Sequence, residues 1–437
     1  MLWYGLINYW WFVVVSAYYI FYIMKIIFNF FKEKSKIFDY KITLIISGIN
    51  FFSFYSMFTL YFSIQEHSFM HLSIEKICSY LDIIFTNNFF NSLIVNFNFV
   101  NIYYFPFIYI FIIVTILSIL FCLNYNIIEI IMFVFYSVII VISGYSLFFS
   151  ETVIIFFFSY ELLLVPSFFI LYKYAKTRRC VEAAYLMFFW TQFGALFLIF
   201  SFLYLFNNTF SSSFQILNFY EFTNFEINFL FFCWMFGFGV KLPIWPFYGW
   251  LPKAHVEAST NFSIFLSGVL VKFAFFGLLK CLLILQLEPT LFYVYPFLII
   301  GLVDSVFKLF YQIDLKKLVA YSTVLEMHWL TVCVISGYSC LLLASFCMLI
   351  SHALLSSNSF FLVDAINRRF KTRLITEISG INFLNPKLFL IALGNCLVFL
   401  GFPGSIFFIA EILFCSFLFD LFPLLCFFLI PLLYLFG

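Results

Sequence analysis

Again and again along this chain, about twenty consecutive residues pass with hardly a charge among them. In hydrocarbon, the backbone N–H and C=O groups of such a run can pair only within the segment, so each run must be a helix of membrane-crossing length. Strands of a membrane barrel would alternate apolar and polar residues, and these runs do not. A water-facing globule is excluded as well: 65% of the 437 residues are hydrophobic and 10% are charged, against about 25% charged in a soluble domain. The expected fold is an all-α polytopic membrane protein.

Length and breaker residues place about thirteen spans, at roughly 5–31, 41–63, 104–123, 129–149, 152–173, 180–206, 228–250, 260–285, 290–310, 318–336, 339–364, 388–419 and 421–436. A longer polar stretch, Gln65 to Asn101, lies between the second and third. No linker rich in Pro, Gly or Ser divides the chain, so 1–437 reads as one membrane domain. The opening MLWYGLINYWW has no cleavage site and no Arg-rich amphipathic helix, and reads as the start of the first span. Sixteen of the 22 Lys and Arg residues fall in loops that follow odd-numbered spans. Basic residues stay on the cytoplasm-like side, which puts the N-terminus outside and, after thirteen spans, the C-terminus inside.

A net charge of +2 offers no field for nucleic acid. The eleven cysteines form no CxxC, CxxCH or zinc spacing, and most, such as Cys340 and Cys347, sit inside apolar spans as small packing residues. No flavin or dinucleotide fingerprint occurs, so neither a metal nor a cofactor is expected in this chain.

Removing the loops leaves a short set of ionisable residues at membrane depth: Glu161, Lys241, Lys272, Asp304, Lys308, Glu326 and Glu411, with His328 and His352. A charge at mid-bilayer costs about 2.5–3.5 kcal/mol on the mildest scale. Asp304 and Lys308 stand at i,i+4 on one helix and can neutralise each other. Glu161, Lys241, Lys272 and Glu411 have no partner on their own turn, so their pairing must cross helices. Isolated intramembrane charges of this kind mark ion or proton pathways.

Two spans are interrupted. Pro243 and Pro246 follow Lys241 in GVKLPIWPFYGWLP, and GFPGS, Gly401 to Ser405, breaks the span that carries Glu411. Proline removes a backbone donor and frees carbonyls in mid-helix. Lys241 lies in the fourth span of a set starting at 129, and Glu411 in the fourth span of a set starting at 290. Paired broken helices at corresponding positions are a transporter device. Two five-span halves of opposite orientation are therefore expected, 129–285 and 290–436, with breaks in spans 7 and 12.

At these residues the chain resembles subunit 4 of NADH:ubiquinone oxidoreductase, the mitochondrial respiratory complex I. The matching strings are SYELLLVPSFFIL (Ser159 to Leu171), VKLPIWPFYGWLPKAHVEAST (Val240 to Thr260), QIDLKKLVAYSTV (Gln312 to Val324), LISHALLSS (Leu349 to Ser357) and FPGSIFFIAEILF (Phe402 to Phe414). The resemblance implies a proton-pumping, antiporter-like module without redox chemistry of its own. It implies that Glu161 pairs with Lys241, that Lys272 leads toward the membrane centre, that His352 follows, and that Glu411 is the outlet-side charge. It also implies a mitochondrial inner-membrane location beside other membrane-arm subunits and lipid, with ubiquinone reduced elsewhere in the complex.

The chain departs from the family twice. Where the family has SVSHM, this chain reads TVLEM, Thr323 to Met327, so Glu326 occupies the histidine position and His328 stands two residues on, toward another face of the helix. Glu326 is expected to point into the bundle with Lys308 or Lys272 as its charge partner. Family members also have a fourteenth span, whereas this sequence stops at LLYLFG. The expectation is that the last helix is either lost or carried by a separate chain packed beside span thirteen near Leu424 to Leu435. Two other classes compete with the pumping subunit. One is a subunit of a multisubunit cation/proton antiporter, which shares the Glu and Lys pattern. The other is a membrane haem protein with His328 and His352 as axial ligands.

Overall fold

The computed structural model describes residues 104–421 except 122–126, 174–176, 286–293, 337–338 and 404. The expected spans 5–31 and 41–63, the polar stretch after them, and the run 421–436 beyond its first residue lie outside the described residues. So do the flank near Leu424 to Leu435 and both termini.

Helices stand on the apolar runs expected between 104 and 419. In chain order they are α1 (Tyr104–Phe121), α2 (Ile127–Phe148), α3 (Val153–Lys173), α4 (Arg178–Thr209), α5 (Asn224–Lys241) and α6 (Trp250–Glu257). They continue as α7 (Thr260–Ile284), α8 (Tyr295–Phe310), α9 (Leu315–Ile335), α10 (Ser339–Phe370), α11 (Pro386–Phe399) and α12 (Ile406–Leu421). Among the described residues six helices are long and apolar enough to cross a membrane, and the only β pairing is two isolated bridges, Thr152 with Ser213 and Asp314 with Leu374.

Local chemistry sets the helix starts. Thr223 accepts from the backbone N–H of Glu226 at 3.4 Å while the Glu226 carboxylate accepts from the N–H of Thr223 at 2.9 Å, a reciprocal cap that opens α5. Asp314 caps α9 through Lys316 N–H at 2.9 Å, and Asn385 with Pro386 opens α11. Both expected breaks are present. In the run 228–250 helix α5 ends at Lys241, and helix resumes only at Trp250, as α6, which continues past the expected end to Glu257; the run 388–419 divides into α11 and α12.

Burial sorts the helices. Nearly all of α7 is enclosed, whereas only a third of α2 and of α4 is. The outer face of α4 presents Phe189, Leu196, Phe200 and Leu203, each at least 60% exposed, a surface suited to hydrocarbon. Helix α7 packs on α1, α5, α9 and α10, and α6 lies between α4 and α9. Aromatic edges lock α7 to its neighbours: Phe276 meets Phe107 of α1 at 5.1 Å and Phe148 of α2 at 4.9 Å, both edge-on. Every charge carried by α7 is therefore held away from the outer surface.

Candidate functional site

Glu161 sits on α3 just before an irregular turn at Leu163, where the absent N–H of Pro166 interrupts the hydrogen-bond ladder. Lys241 is the last residue of α5, where Pro243 prevents the helix from continuing. The two side chains meet across helices: Lys241 Nζ lies 3.4 Å from Glu161 Oε1, with 12% and 20% of the side chains exposed. Neither is held by the other alone. Lys241 also donates to the Tyr160 carbonyl at 3.2 Å and lies 3.5 Å from the centre of the Tyr160 ring. Gln192 Nε2 of α4 donates to the second carboxylate oxygen of Glu161 at 2.9 Å. A cavity of about 30 Å³ lined by Lys241, Tyr160, Thr191, Ser167 and Val271 adjoins the pair. That is room for one or two waters.

A second cluster crosses three helices in the interior. Residues Leu266–Leu270 of α7 form a π-helical turn, and Lys272 Nζ donates back to the Ser267 carbonyl inside it. The same ammonium stands 2.6 Å from His352 Nδ1 of α10. Because Nδ1 accepts from Lys272, the ring proton belongs on Nε2, which faces Glu326 Oε2 of α9 at 3.6 Å. None of the three residues is more than 3% exposed. Glu326 does point into the bundle. Of its two expected partners, Lys308 is engaged elsewhere, with Asp304 at 2.9 Å and with the Tyr248 hydroxyl. Lys272 is the cation whose charge acts on Glu326, and His352 stands between the two.

Glu411 of α12 lies within electrostatic range of Glu326 in the interior cluster and, among the described residues, has no ion-pair partner within 4.0 Å. Its carboxylate is folded over Gly401, which has φ +63° and where a Cβ would strike Glu411 Oε2. The positive φ is what favours glycine there, and a Cβ would push the carboxylate aside.

His328 makes its two hydrogen bonds outside both clusters. It is fully buried, its Nδ1 bonds the Val324 carbonyl at 2.8 Å, and its Nε2 accepts from the Trp245 backbone N–H at 2.8 Å. Both nitrogens are taken, which leaves no lone pair for an axial metal bond and removes the physical ground for the haem reading. Asp304 and Lys308 do pair on one helix, and Tyr248, just beyond the α5 break, bridges them by donating to Asp304 and accepting from Lys308.

Three further buried groups stand outside the set of membrane-depth residues that the sequence singles out. Lys280, near the end of the run 260–285, has a buried ammonium that donates to the Ser150 carbonyl at 2.6 Å and covers the Phe214 ring at 4.3 Å. Lys316, just ahead of the run 318–336, is 3% exposed and donates to the Ala258 carbonyl at 2.6 Å, beside Arg373 on the Val256 carbonyl at 3.1 Å. Two cations thus sit at the carbonyl end of α6, where the helix dipole favours positive charge. His255, also in α6, is fully buried and stacks on Phe360 at 4.8 Å.

Residues 150–433 match the family described as NADH:quinone oxidoreductase/Mrp antiporter, transmembrane region. NADH-ubiquinone oxidoreductase chain 4 of Paramecium tetraurelia is 37% identical over 259 residues, 59% of this chain and 55% of that one. The chain 4 of Marchantia polymorpha is 33% identical over 271 residues, 61% and 55% of the two chains. The chain thus spans about 55% of the length of these relatives. In fold it is similar to a chain of respiratory complex I from Thermus thermophilus, with a TM-score of 0.64 at 20% identity over 74% of this chain and 69% of that one. It is also similar to a chain of the Mrp complex from Dietzia sp., with a TM-score of 0.63 at 20% identity over 69% and 34%. Charged clusters at a broken helix and a π turn, on a chain that matches across 150–433, place this protein in the NADH:quinone oxidoreductase/Mrp antiporter family of membrane proteins.

Proposed function

We propose that this chain is a proton-translocating membrane-arm subunit of a respiratory NADH:ubiquinone oxidoreductase. The observation that carries the reading is the buried run Lys272–His352–Glu326, in which a two-nitrogen ring stands between an amine and a carboxyl. As Lys272 gives a proton to Nδ1, Nε2 gives its own to Glu326; one proton advances and two opposite charges vanish together. Separate buried charges are costly, so the transfer is driven both by the arriving proton and by the charge it removes. Lys241, tied to Glu161, loads the chain through the adjoining cavity, and Glu411 lies at the outlet.

In this reading 129–285 and 290–436 are inverted repeats, each with a broken fourth helix. The N-terminus faces the intermembrane space and the C-terminus the matrix of the mitochondrial inner membrane. Other membrane-arm subunits and lipid cover the apolar flanks, and ubiquinone is reduced elsewhere in the complex. The names of the relatives support this reading over a multisubunit cation/proton antiporter.

The test is the intact complex in liposomes, where NADH oxidation drives dye-reported proton uptake. Lys241→Met is expected to lower protons pumped per NADH while NADH:ubiquinone turnover with uncoupler persists. Unchanged pumping sinks the role of Lys241. Purification without flavin and iron–sulfur subunits, together with cation/proton exchange, selects the antiporter instead.

A further inference from the structure

The break after Lys241 poses an accounting problem for backbone donors. Buried or half-buried N–H groups need acceptors, and a broken helix loses its regular ones. Leu242 N–H reaches the Phe238 carbonyl at 2.8 Å, Ile244 N–H the Gly239 carbonyl at 2.9 Å and Phe247 N–H the Ile244 carbonyl at 2.7 Å. Pro243 and Pro246 have no N–H. One donor is left over, that of Trp245, and its acceptor comes from another helix: His328 Nε2 of α9 at 2.8 Å. The other ring nitrogen is bonded to the Val324 carbonyl one turn back, which fixes the ring plane and makes Nε2 the acceptor.

Neighbouring groups are shaped around this contact. Gly301 of α8 lies so close that a Cβ there would strike the His328 ring and Trp245. Tyr248, three residues past Trp245, is edge-on to His328 with centroids 6.2 Å apart, and its hydroxyl is held between Asp304 and Lys308, also on α8. Two helices of the second set of spans therefore grip the break of the first set at two points, Trp245 and Tyr248.

We propose that His328 is a positioning residue: by accepting from the Trp245 N–H it holds the break and so sets the place of the Lys241 ammonium against Glu161. This rests on the reading of Lys241 as a proton carrier, but the hold itself does not. It also moves His328 out of the proton path, since Nε2 can take up a proton only by giving up Trp245. An acceptor is what the position requires, not an acid or a base.

The experiment uses the intact, purified complex and compares His328→Leu, His328→Gln and Gly301→Ala. Gln ends in an amide oxygen at nearly the reach of Nε2 and can accept the same bond, yet it cannot shuttle a proton. Amide hydrogen exchange is followed in the peptide that contains Trp245. His328→Leu is expected to speed that exchange about tenfold or more, the loss expected when a buried donor is orphaned. Gly301→Ala, which displaces the ring without removing it, should do the same to a smaller degree. His328→Gln should restore slow exchange and proton pumping together.

Unchanged exchange in both His328→Leu and Gly301→Ala overturns the hold, whatever becomes of the pumping reading. Fast exchange with full pumping overturns the positioning of Lys241. Slow exchange without pumping in His328→Gln shows that His328 carries protons and overturns the proposal. If His328→Leu does not assemble, Gly301→Ala and His328→Gln still decide the matter. Normal pumping by Lys241→Met would remove the functional reading while leaving the exchange result intact, so the two failures remain distinct.

Discussion

Replacing Glu326 by Gln is expected to stop proton transfer through this chain and leave it folded. Gln has the same length and nearly the same volume, so a site that is 1% exposed stays filled. What disappears is the capacity to take a proton from His352 Nε2, 3.6 Å away. A positioned acid or base contributes about 10²–10⁴-fold to a transfer step, or about 2.7–5.5 kcal/mol of barrier at ~1.36 kcal/mol per decade. Transfer through this unit should therefore fall by at least about a hundredfold. Glu326→Asp withdraws the carboxyl by roughly 1.5 Å, opening the gap to about 5 Å, beyond hydrogen-bond reach. A bridging water must then intervene, and an intermediate loss of about tenfold is expected. Glu326→His supplies the group that the family resemblance places here, able both to donate and to accept, and should keep pumping. The assay is protons taken up per NADH in liposomes, with uncoupled NADH oxidation as the control for assembly. Full pumping by Glu326→Gln refutes the relay, as does failure of His where Gln succeeds.

Lys316→Met removes a charge-assisted hydrogen bond worth about 1.5–3 kcal/mol from the carbonyl end of α6. The helix should fray, and the exposed Lys253 should be cleaved faster by a lysine-specific protease; unchanged cleavage would show that Arg373 alone secures that end. Gly401→Ala puts a side chain at φ +63°, a cost of about 1–2 kcal/mol, and its Cβ would displace the Glu411 carboxylate. Its pumping defect should match that of Glu411→Gln, and normal pumping would mean that the seat over Gly401 is dispensable.

The sequence makes a misplaced charge easy to see and its partner hard to find. Glu161 and Lys241 stand out because each interrupts an apolar run, and opposite signs make their pairing a natural expectation. Nothing in the spacing announces that Gln192 and the Tyr160 carbonyl complete the site, because those contacts cross helices or use the backbone. For Glu326 the sequence supplies the inward face and a candidate cation in Lys272, but not the neutral His352 ring that stands between them. Lys316 was hidden by its company: it adjoins Lys317 at a span edge, and counting charges cannot tell which of two lysines turns inward onto a helix end. The π turn at Leu266–Leu270 also left no mark, since no proline or run of glycines accompanies it. The two proline-bearing breaks, by contrast, were legible because the lost N–H is written in the residue itself.

Glu326 and His328 are two residues apart on α9, hence about 200° apart around the helix. One faces His352 of α10 and the other faces Trp245 in the break beyond α5. A helix held on both sides cannot travel freely. If α9 moved toward α10 to close the 3.6 Å gap at Glu326, the 2.8 Å bond at Trp245 would have to lengthen by a comparable amount, past the range in which N–H bonds remain strong. Closing the gap is therefore a matter of side-chain rotation at Glu326 or His352, a fast, local motion that leaves the backbone in place. By the same geometry, a change that does shift α9 is felt at once in the break behind Lys241. In the pumping reading this links the two acid–base clusters through a rigid element that carries Glu326 on one face and holds the break four residues past Lys241 on the other, with no need for a continuous chain of protons between them.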